Sequence, residues 1–238
     1  MELDGAVVIV TGASSGIGEA TARLAVERGA KVVLAARRVE RIAKLEAELP
    51  GSMAVPTDMR DPASIACLVA STLDRTGRVD VLVNNAGQGL HVPVDQISLD
   101  DLRAVTELNF YGPLLAMQAV IPAMRRQGAG SIVNVSSGTT RMVLPGVGGY
   151  AATKSALNTL SAVARAELAA DGIAVSLVLP SVVATEFHSS LRAGARAGSR
   201  AGGPPPLPAE AVAEAILALV RSGEAEAVVQ DWGVGQER

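Results

Sequence analysis

Short runs of β-branched and aliphatic residues alternate along this chain with longer stretches whose apolar positions recur every three or four residues. The runs Val7–Val10, Val32–Ala36, Ser52–Val55, Val79–Val83, Ser131–Ser136, Ala174–Leu179 and Ala227–Val229 predict about seven strands. Helical periodicity covers 17–28, 39–49, 62–76, 99–126, 150–170 and 209–221, and the 99–126 stretch is expected to bend or break near Gly112-Pro113. Strand and helix taken in turn predict an α/β fold, a doubly wound parallel sheet with helices on both faces. No internal repeat and no shift of composition marks a boundary, so 1–238 is read as a single domain. Arg192–Pro208 differs from the rest in its density of Gly, Ala, Arg and Pro, and 186–208 is expected to be a mobile substrate lid.

The first strand runs into Thr11-Gly12-Ala13-Ser14-Ser15-Gly16-Ile17-Gly18, and a helix follows that Gly29 stops. Strand, glycine turn and helix make a phosphate cradle, because glycine lets the backbone approach a pyrophosphate and the helix start offers free N–H groups. The spacing is G-x-x-x-G-x-G, which differs from the general G-x-G-x-x-G fingerprint. At the end of the second strand, where an acid would bond the 2′-hydroxyl of NAD, stand Ala36, Arg37 and Arg38. A guanidinium fork suits a 2′-phosphate, so the expected cofactor is NADP(H), with Arg37 as the phosphate clamp and Arg38 as its helper.

Tyr150 and Lys154 are one helical turn apart and share a helix face. A lysine ammonium roughly 4 Å from a phenol, at an effective dielectric of about 20, favours the phenolate by about 4 kcal/mol. On that reading Lys154 lowers the Tyr150 pKa by about three units and fits the phenol for acid/base work near neutrality. Ser137 lies upstream, at the end of the fifth strand.

Together, these residues resemble the short-chain dehydrogenase/reductase family over about residues 7–185. The matching pieces are the glycine loop, Asp58-Met59, Asn84-Asn85-Ala86-Gly87, Asn109, Ser137, Tyr150 and Lys154. The resemblance implies a Rossmann fold and reversible hydride transfer between a nicotinamide and a small-molecule carbonyl or secondary alcohol. In this reading Tyr150 is the acid/base, Ser137 holds the substrate oxygen, and Lys154 serves both the phenol and the nicotinamide ribose. Asn109 matches the asparagine of a water chain to Lys154. The cofactor-binding set is Gly12, Ser14, Ser15, Gly16, Ile17, Gly18, Arg37, Arg38, Asp58, Met59, Asn85, Ala86, Gly87, Tyr150, Lys154, Val183 and Thr185. Asp58-Met59 would meet the adenine, Asn85-Ala86-Gly87 the adenosine ribose side, and Thr185 the nicotinamide amide or pyrophosphate. The family also implies a homotetramer or homodimer, in keeping with the many small residues of 150–170. One departure is Pro180-Ser181, where the family commonly carries Pro-Gly. The chain also lacks the usual glycine-rich end of the 3-oxoacyl carrier-protein reductases, so a general carbonyl reductase or secondary-alcohol dehydrogenase is the fitting reading.

Composition narrows the remaining choices. The net charge of −3 and the want of a basic stripe give no reason to invoke nucleic acid. Apolar runs stop well short of the ~20 residues of a membrane span. Met1–Asp4 is acidic and leads directly into a strand, so no targeting peptide is expected and the protein is placed in the cytoplasm. The one cysteine, Cys67, is expected to be a small buried hydrophobe. His91 is placed at the mouth of the pocket with His188 similar, and neither has neighbours at metal-ligand spacing, so no metal is expected. Arg192, Arg196 and Arg200 could form a cationic face for an acidic substrate, although a solvated lid is favoured. A non-catalytic dinucleotide sensor would keep the glycine loop without Ser137, Tyr150 and Lys154, and an interaction protein reusing the fold would need neither set.

Overall fold

In the computed structural model, residues 1–195 and 205–230 are described. Seven strands form one parallel sheet: β1 (Val7–Thr11), β2 (Lys31–Ala36), β3 (Met53–Pro56), β4 (Val81–Asn84), β5 (Gly130–Val135), β6 (Ile173–Pro180) and β7 (Glu226–Val229). Their order across the sheet is β3-β2-β1-β4-β5-β6-β7. The chain therefore reverses direction between β1 and β4, and the crevice at such a switch point is where open α/β sheets take ligands.

The connecting helices are α1 (Gly16–Glu27), α2 (Val39–Glu48), α3 (Pro62–Thr76), α4 (Leu99–Thr106), α5 (Gly112–Gln127), α6 (Gly148–Leu168) and α7 (Ala209–Ser222). Alternation along each strand divides the core in two. Val8, Val10, Val32 and Leu34 pack with Ala22 and Ala25 of α1, Ile42 and Leu45 of α2, and Ile216 of α7. Val7, Ile9, Val33 and Ala35 pack on the opposite face with Ile65 and Leu68 of α3, Met117 and Val120 of α5, and Leu168 of α6. In-register pairing of Val8, Ile9 and Val10 with both β2 and β4 buries the central strand on both faces and both edges.

Where explicit end signals exist, the expected boundaries hold. The Asp61 carboxylate accepts from Ala63 N–H at 3.0 Å, Pro62 opens α3, and Gly77 closes it at φ 72°. The 99–126 stretch breaks next to Gly112-Pro113, as expected, through a five-residue π-helical turn, Glu107–Tyr111. Pro113 sits in the first turn of α5, where its missing N–H costs nothing. Gly112 is required there, since a Cβ on it would collide with the Met59 carbonyl.

Cys67 is a correction: it is exposed, not buried. Helix α3 buries Ile65, Leu68, Val69 and Thr72, and Cys67, two positions past Ile65, falls on the other face. Of the supposed lid, residues 196–204 lie outside the described residues, so Arg196, Arg200 and the Gly198–Gly203 glycines carry no structural account. The described near end is tied down. Arg192 N–H donates to Gly89 O at 2.8 Å, and Arg192 Nε donates to Asp101 at 2.6 Å.

Beneath the sheet, Asn84 Nδ2 donates to Asn134 Oδ1 at 2.8 Å, and Asn134 Nδ2 donates to Ser161 Oγ at 2.8 Å. This polar chain pins β4 to β5 and β5 to α6. Asn134→Ala should destabilise the protein by about 1–3 kcal/mol, because it strands buried groups on Asn84 and Ser161. Urea unfolding that gives the variant the wild-type midpoint would count against that account.

Candidate active site and dinucleotide cradle

Two loops meet at the switch point, one after β1 and one after β4. Thr11 Oγ1 accepts from Asn85 N–H at 2.9 Å and from Ala86 N–H at 3.1 Å, and donates to Val83 O at 3.2 Å. Asn85 Nδ2 returns a bond to Thr11 O at 2.9 Å. Glycine is demanded where the loops touch. Gly12 has φ 68°, and a Cβ there would stand 2.9 Å from Ala86 Cα. A Cβ on Gly18 would collide with Gly12 O, and one on Gly16, at φ 56°, would stand 2.8 Å from Thr185 Cγ2. Gly16 and Gly18 begin α1. A backbone this bare at a helix N-terminus is the shape that fits a pyrophosphate. Thr11, which the motif includes without a role of its own, is the brace, placed at the end of a buried strand.

Arg38, rather than Arg37, touches this loop. Its Nε donates to Ser14 Oγ at 2.9 Å and its Nη2 to Ser15 Oγ at 2.5 Å. Arg37 is exposed, and its charge helps hold the Asp58 carboxyl below the usual carboxylate range, chiefly set by hydrogen bonds from Arg60. Met59 is buried beside the start of α5.

The π-helical turn carries Asn109 inward, and turns of this kind occur mostly at functional sites. Asn109 is fully buried, accepts from Gln88 N–H at 2.9 Å, and donates from Nδ2 to Gln88 O at 2.9 Å and Thr153 Oγ1 at 3.2 Å. It thereby joins the loop after β4 to α6. A Cβ on Gly87 would stand 3.3 Å from Asn109 Oδ1 and 3.5 Å from Lys154 Nζ. Loop, asparagine and lysine thus converge at one point.

Tyr150 and Lys154 lie on the buried face of α6, at 6% and 4% exposure. Lys154 Nζ donates to Val135 O at 2.8 Å. Burial, and not a charge pair, governs their protonation. It pushes the Tyr150 phenol up to about 12, partly offset by a hydrogen bond with Ser137. Burial also pulls the Lys154 ammonium down to about 8. In this structure burial outweighs the expected lowering of the phenol by the lysine. Both groups share a helix face, but the lysine spends its charge on a backbone carbonyl and sits too dry to stay charged easily.

Ser137 receives bonds from Thr139 N–H at 3.2 Å and Thr139 Oγ1 at 3.0 Å, which leaves its own proton to give. Neighbouring Ser136 turns away and donates to Asn158 Oδ1 at 2.5 Å, a structural contact. Val183 is buried, Thr185 Oγ1 accepts from Phe187 N–H at 3.3 Å, and Ser181 N–H donates to Val229 O at 2.9 Å.

The chain has two Phe, two Tyr, one Trp and two His. Among them, Tyr150 lies 6.4 Å from His91 and 5.7 Å from Phe187 between ring centroids, and His188 lies 5.8 Å from His91. Burial holds the His91 imidazole below its ordinary value, against a hydrogen bond at the Ala195 backbone. Leu90, Val105, Ile97 and Leu102 close the space behind Tyr150. Phe187 gave no sequence signal, because only folding brings 187 against 150. No cluster of metal ligands occurs among the described residues.

Residues 6–196 match the family model described as short chain dehydrogenase. An uncharacterized oxidoreductase of Staphylococcus saprophyticus is 37% identical over 184 residues, covering 76% of this chain and 75% of that protein. A short chain dehydrogenase/reductase from Burkholderia phymatum, solved in complex with NAD, superposes with a TM-score of 0.87 at 27% identity, covering 96% of this chain and 90% of the other. A short chain dehydrogenase from Burkholderia cenocepacia, solved in complex with NADP, gives 0.82 at 31% identity, covering 97% and 90%.

The Lys154 shift has a pH signature. A folded value near 8 against an ordinary 10.5 means that the stabilising neutral form is fully present above 10.5 and lost as pH falls through 8. The raised phenol acts only above its ordinary value of 10, so the range from about 8 to 10 isolates the lysine. Across it, the stability of wild type relative to Lys154→Met should rise with pH in urea titrations. A flat difference would show that the ammonium is not dehydrated.

Proposed function

This chain belongs to the short-chain dehydrogenase family, and on that footing we propose that it is an NADP(H)-dependent oxidoreductase interconverting a carbonyl compound and a secondary alcohol. The observation that carries the proposal is the convergence of Ser137, Tyr150, Lys154 and Asn109 beside a glycine cradle bordered by Arg38. A sensor or interaction protein would have no need of these four together. A bound nicotinamide would supply the hydride in reduction and accept it in oxidation. Gly12, Ser14, Ser15, Gly16, Ile17 and Gly18 would hold the pyrophosphate side. Asp58, Met59, Asn85, Ala86 and Gly87 would hold the adenosine, and Val183, Thr185 and Lys154 the nicotinamide ribose end.

Tyr150 gives its phenolic proton to the substrate oxygen during reduction and takes one back during oxidation. With its pKa raised by burial, the phenol is protonated near neutral pH and so is in the form that donates during reduction. The Ser137 hydroxyl donates to the same oxygen and stabilises its developing charge. Lys154 holds the ribose and, when protonated, favours loss of the phenolic proton, with Asn109 in place for a water path to it. The ring cluster and the aliphatic wall behind Tyr150 suit a carbonyl on an apolar body. Arg192, already paired with Asp101, adds little for an acidic substrate.

Tyr150→Phe removes one proton and keeps the ring. Turnover with NADPH and an apolar carbonyl should fall about 10²–10⁴-fold while cofactor affinity changes little. Retention of most of the turnover would refute the acid/base role. Arg38→Ala should weaken NADPH binding by about 1.5–3 kcal/mol, the scale of a charge-assisted bond, with NADH nearly unaffected. Tighter binding of NADH than NADPH by the wild type would end the cofactor assignment.

We extend the proposal to a cytoplasmic homo-oligomer, dimer or tetramer. Ala152, Ser155, Ala156, Ala162, Val163 and Ala166 leave one face of α6 exposed and smooth enough for close helix packing. Light scattering at micromolar concentration should give a multiple of the 24.2 kDa chain mass, and a monomer would contradict it.

A further inference from the structure

Arg38 and Arg41 already hold an anion, and it belongs to the chain itself. Glu186 Oε2 accepts from Arg38 Nη1 at 2.9 Å and from Arg41 Nη1 at 2.8 Å, while Oε1 accepts from Arg41 Nη1 at 3.0 Å. The opposite edge of the Arg38 guanidinium is fixed by the Ser14 and Ser15 hydroxyls. So the glycine-loop serines, the two arginines and the carboxylate make one chain of charge-assisted bonds across the cofactor's adenosine side. Glu186 reaches it from the turn that follows Thr185, far away in sequence.

Three features make this contact exchangeable. All three side chains are about half exposed, at 45%, 48% and 52% for Arg38, Arg41 and Glu186. Exposed ion pairs contribute little net stability, so a stronger anion can take the place of the carboxylate. A phosphate dianion is such an anion, since it carries more charge and more acceptor oxygens for the same forks. A surface cleft of about 240 Å³, lined in part by Ser14, Arg41 and Lys44, also opens beside the pair.

We propose that Glu186 is an intramolecular competitor for the 2′-phosphate of the cofactor. Its carboxylate occupies Arg38 and Arg41 and is displaced when a 2′-phosphorylated nucleotide binds. Glu186 therefore sets how strongly the chain prefers NADP(H) to NAD(H), and lowers that preference from what the arginines alone would give. The inference rests on the reading of the Arg37-Arg38 corner as the 2′-phosphate side.

Calorimetric titration with adenosine 2′,5′-bisphosphate and with adenosine 5′-monophosphate separates the two ideas. Selectivity of the wild type for the bisphosphate, lost in Arg38→Ala, tests the cofactor reading. The change caused by Glu186→Gln tests the competitor. Removing the charge should tighten the bisphosphate by about tenfold, the scale of a lost like-charge and competing contact, and leave the monophosphate within about twofold. Glu186→Asp, which keeps the charge, should stay near wild type. A damaged fold would weaken both ligands alike, so a selective gain is a result that a merely bracing role does not produce. If Glu186→Gln leaves the bisphosphate unchanged or weaker while Arg38→Ala still loses it, the competitor is overturned and the cofactor reading survives. If the wild type binds both ligands equally and Glu186→Gln alone gains the bisphosphate, the competitor stands and the NADP(H) preference falls.

Discussion

The bond set around Thr11 is the constraint on which the rest of the site depends. A parallel sheet whose order reverses between β1 and β4 leaves two loops side by side with unpaired backbone groups. One hydroxyl satisfies two of those N–H groups and a carbonyl at once. The loops then approach so closely that Gly12 and Gly18 have no room for a Cβ. The bare crevice that results is the cradle. Its precision comes from the sheet, because β1 is gripped by both neighbours and packed on both faces.

Burial sets the chemistry that the crevice can perform. Tyr150 and Lys154 sit almost wholly out of water, and dehydration favours the neutral form of each. The phenol stays protonated and is a weaker acid than it would be in water. The lysine, anchored to the Val135 carbonyl, is poised near physiological pH rather than far above it. Asn109 ties the loop after β4, through Gln88, to α6, through Thr153.

Electrostatics at the arginines beside the glycine loop follow a different rule, because that surface is wet. Arg38, Arg41 and Glu186 keep half their surface in solvent. Pairing there organises side chains more than it stabilises the fold. Glu186 directly precedes Phe187, whose ring faces Tyr150. The arginine pair beside the glycine loop and the ring cluster around Tyr150 are therefore neighbours along one short turn.

Much of this was legible in the chain of residues. Strand and helix alternation, the glycine spacing and the capping signals of α3 are local, and local propensity and period decide them without reference to distant parts. The same holds for the placing of Tyr150 and Lys154 on one helix face, which 3.6-residue periodicity dictates. Tertiary structure decided what depends on partners remote in sequence. It turned Cys67 outward, since the face α3 buries is chosen by the sheet and α5. It gave the expected break near Gly112-Pro113 the form of a π-helical turn, and it set Gly112 against the Met59 carbonyl. It gave the loop serines to Arg38 instead of Arg37, and brought Glu186 and Phe187 to the site from the far side of the sheet. It also reversed the sign of the phenol's shift, because the dielectric around a side chain is a property of the packed fold and not of its neighbours along the chain.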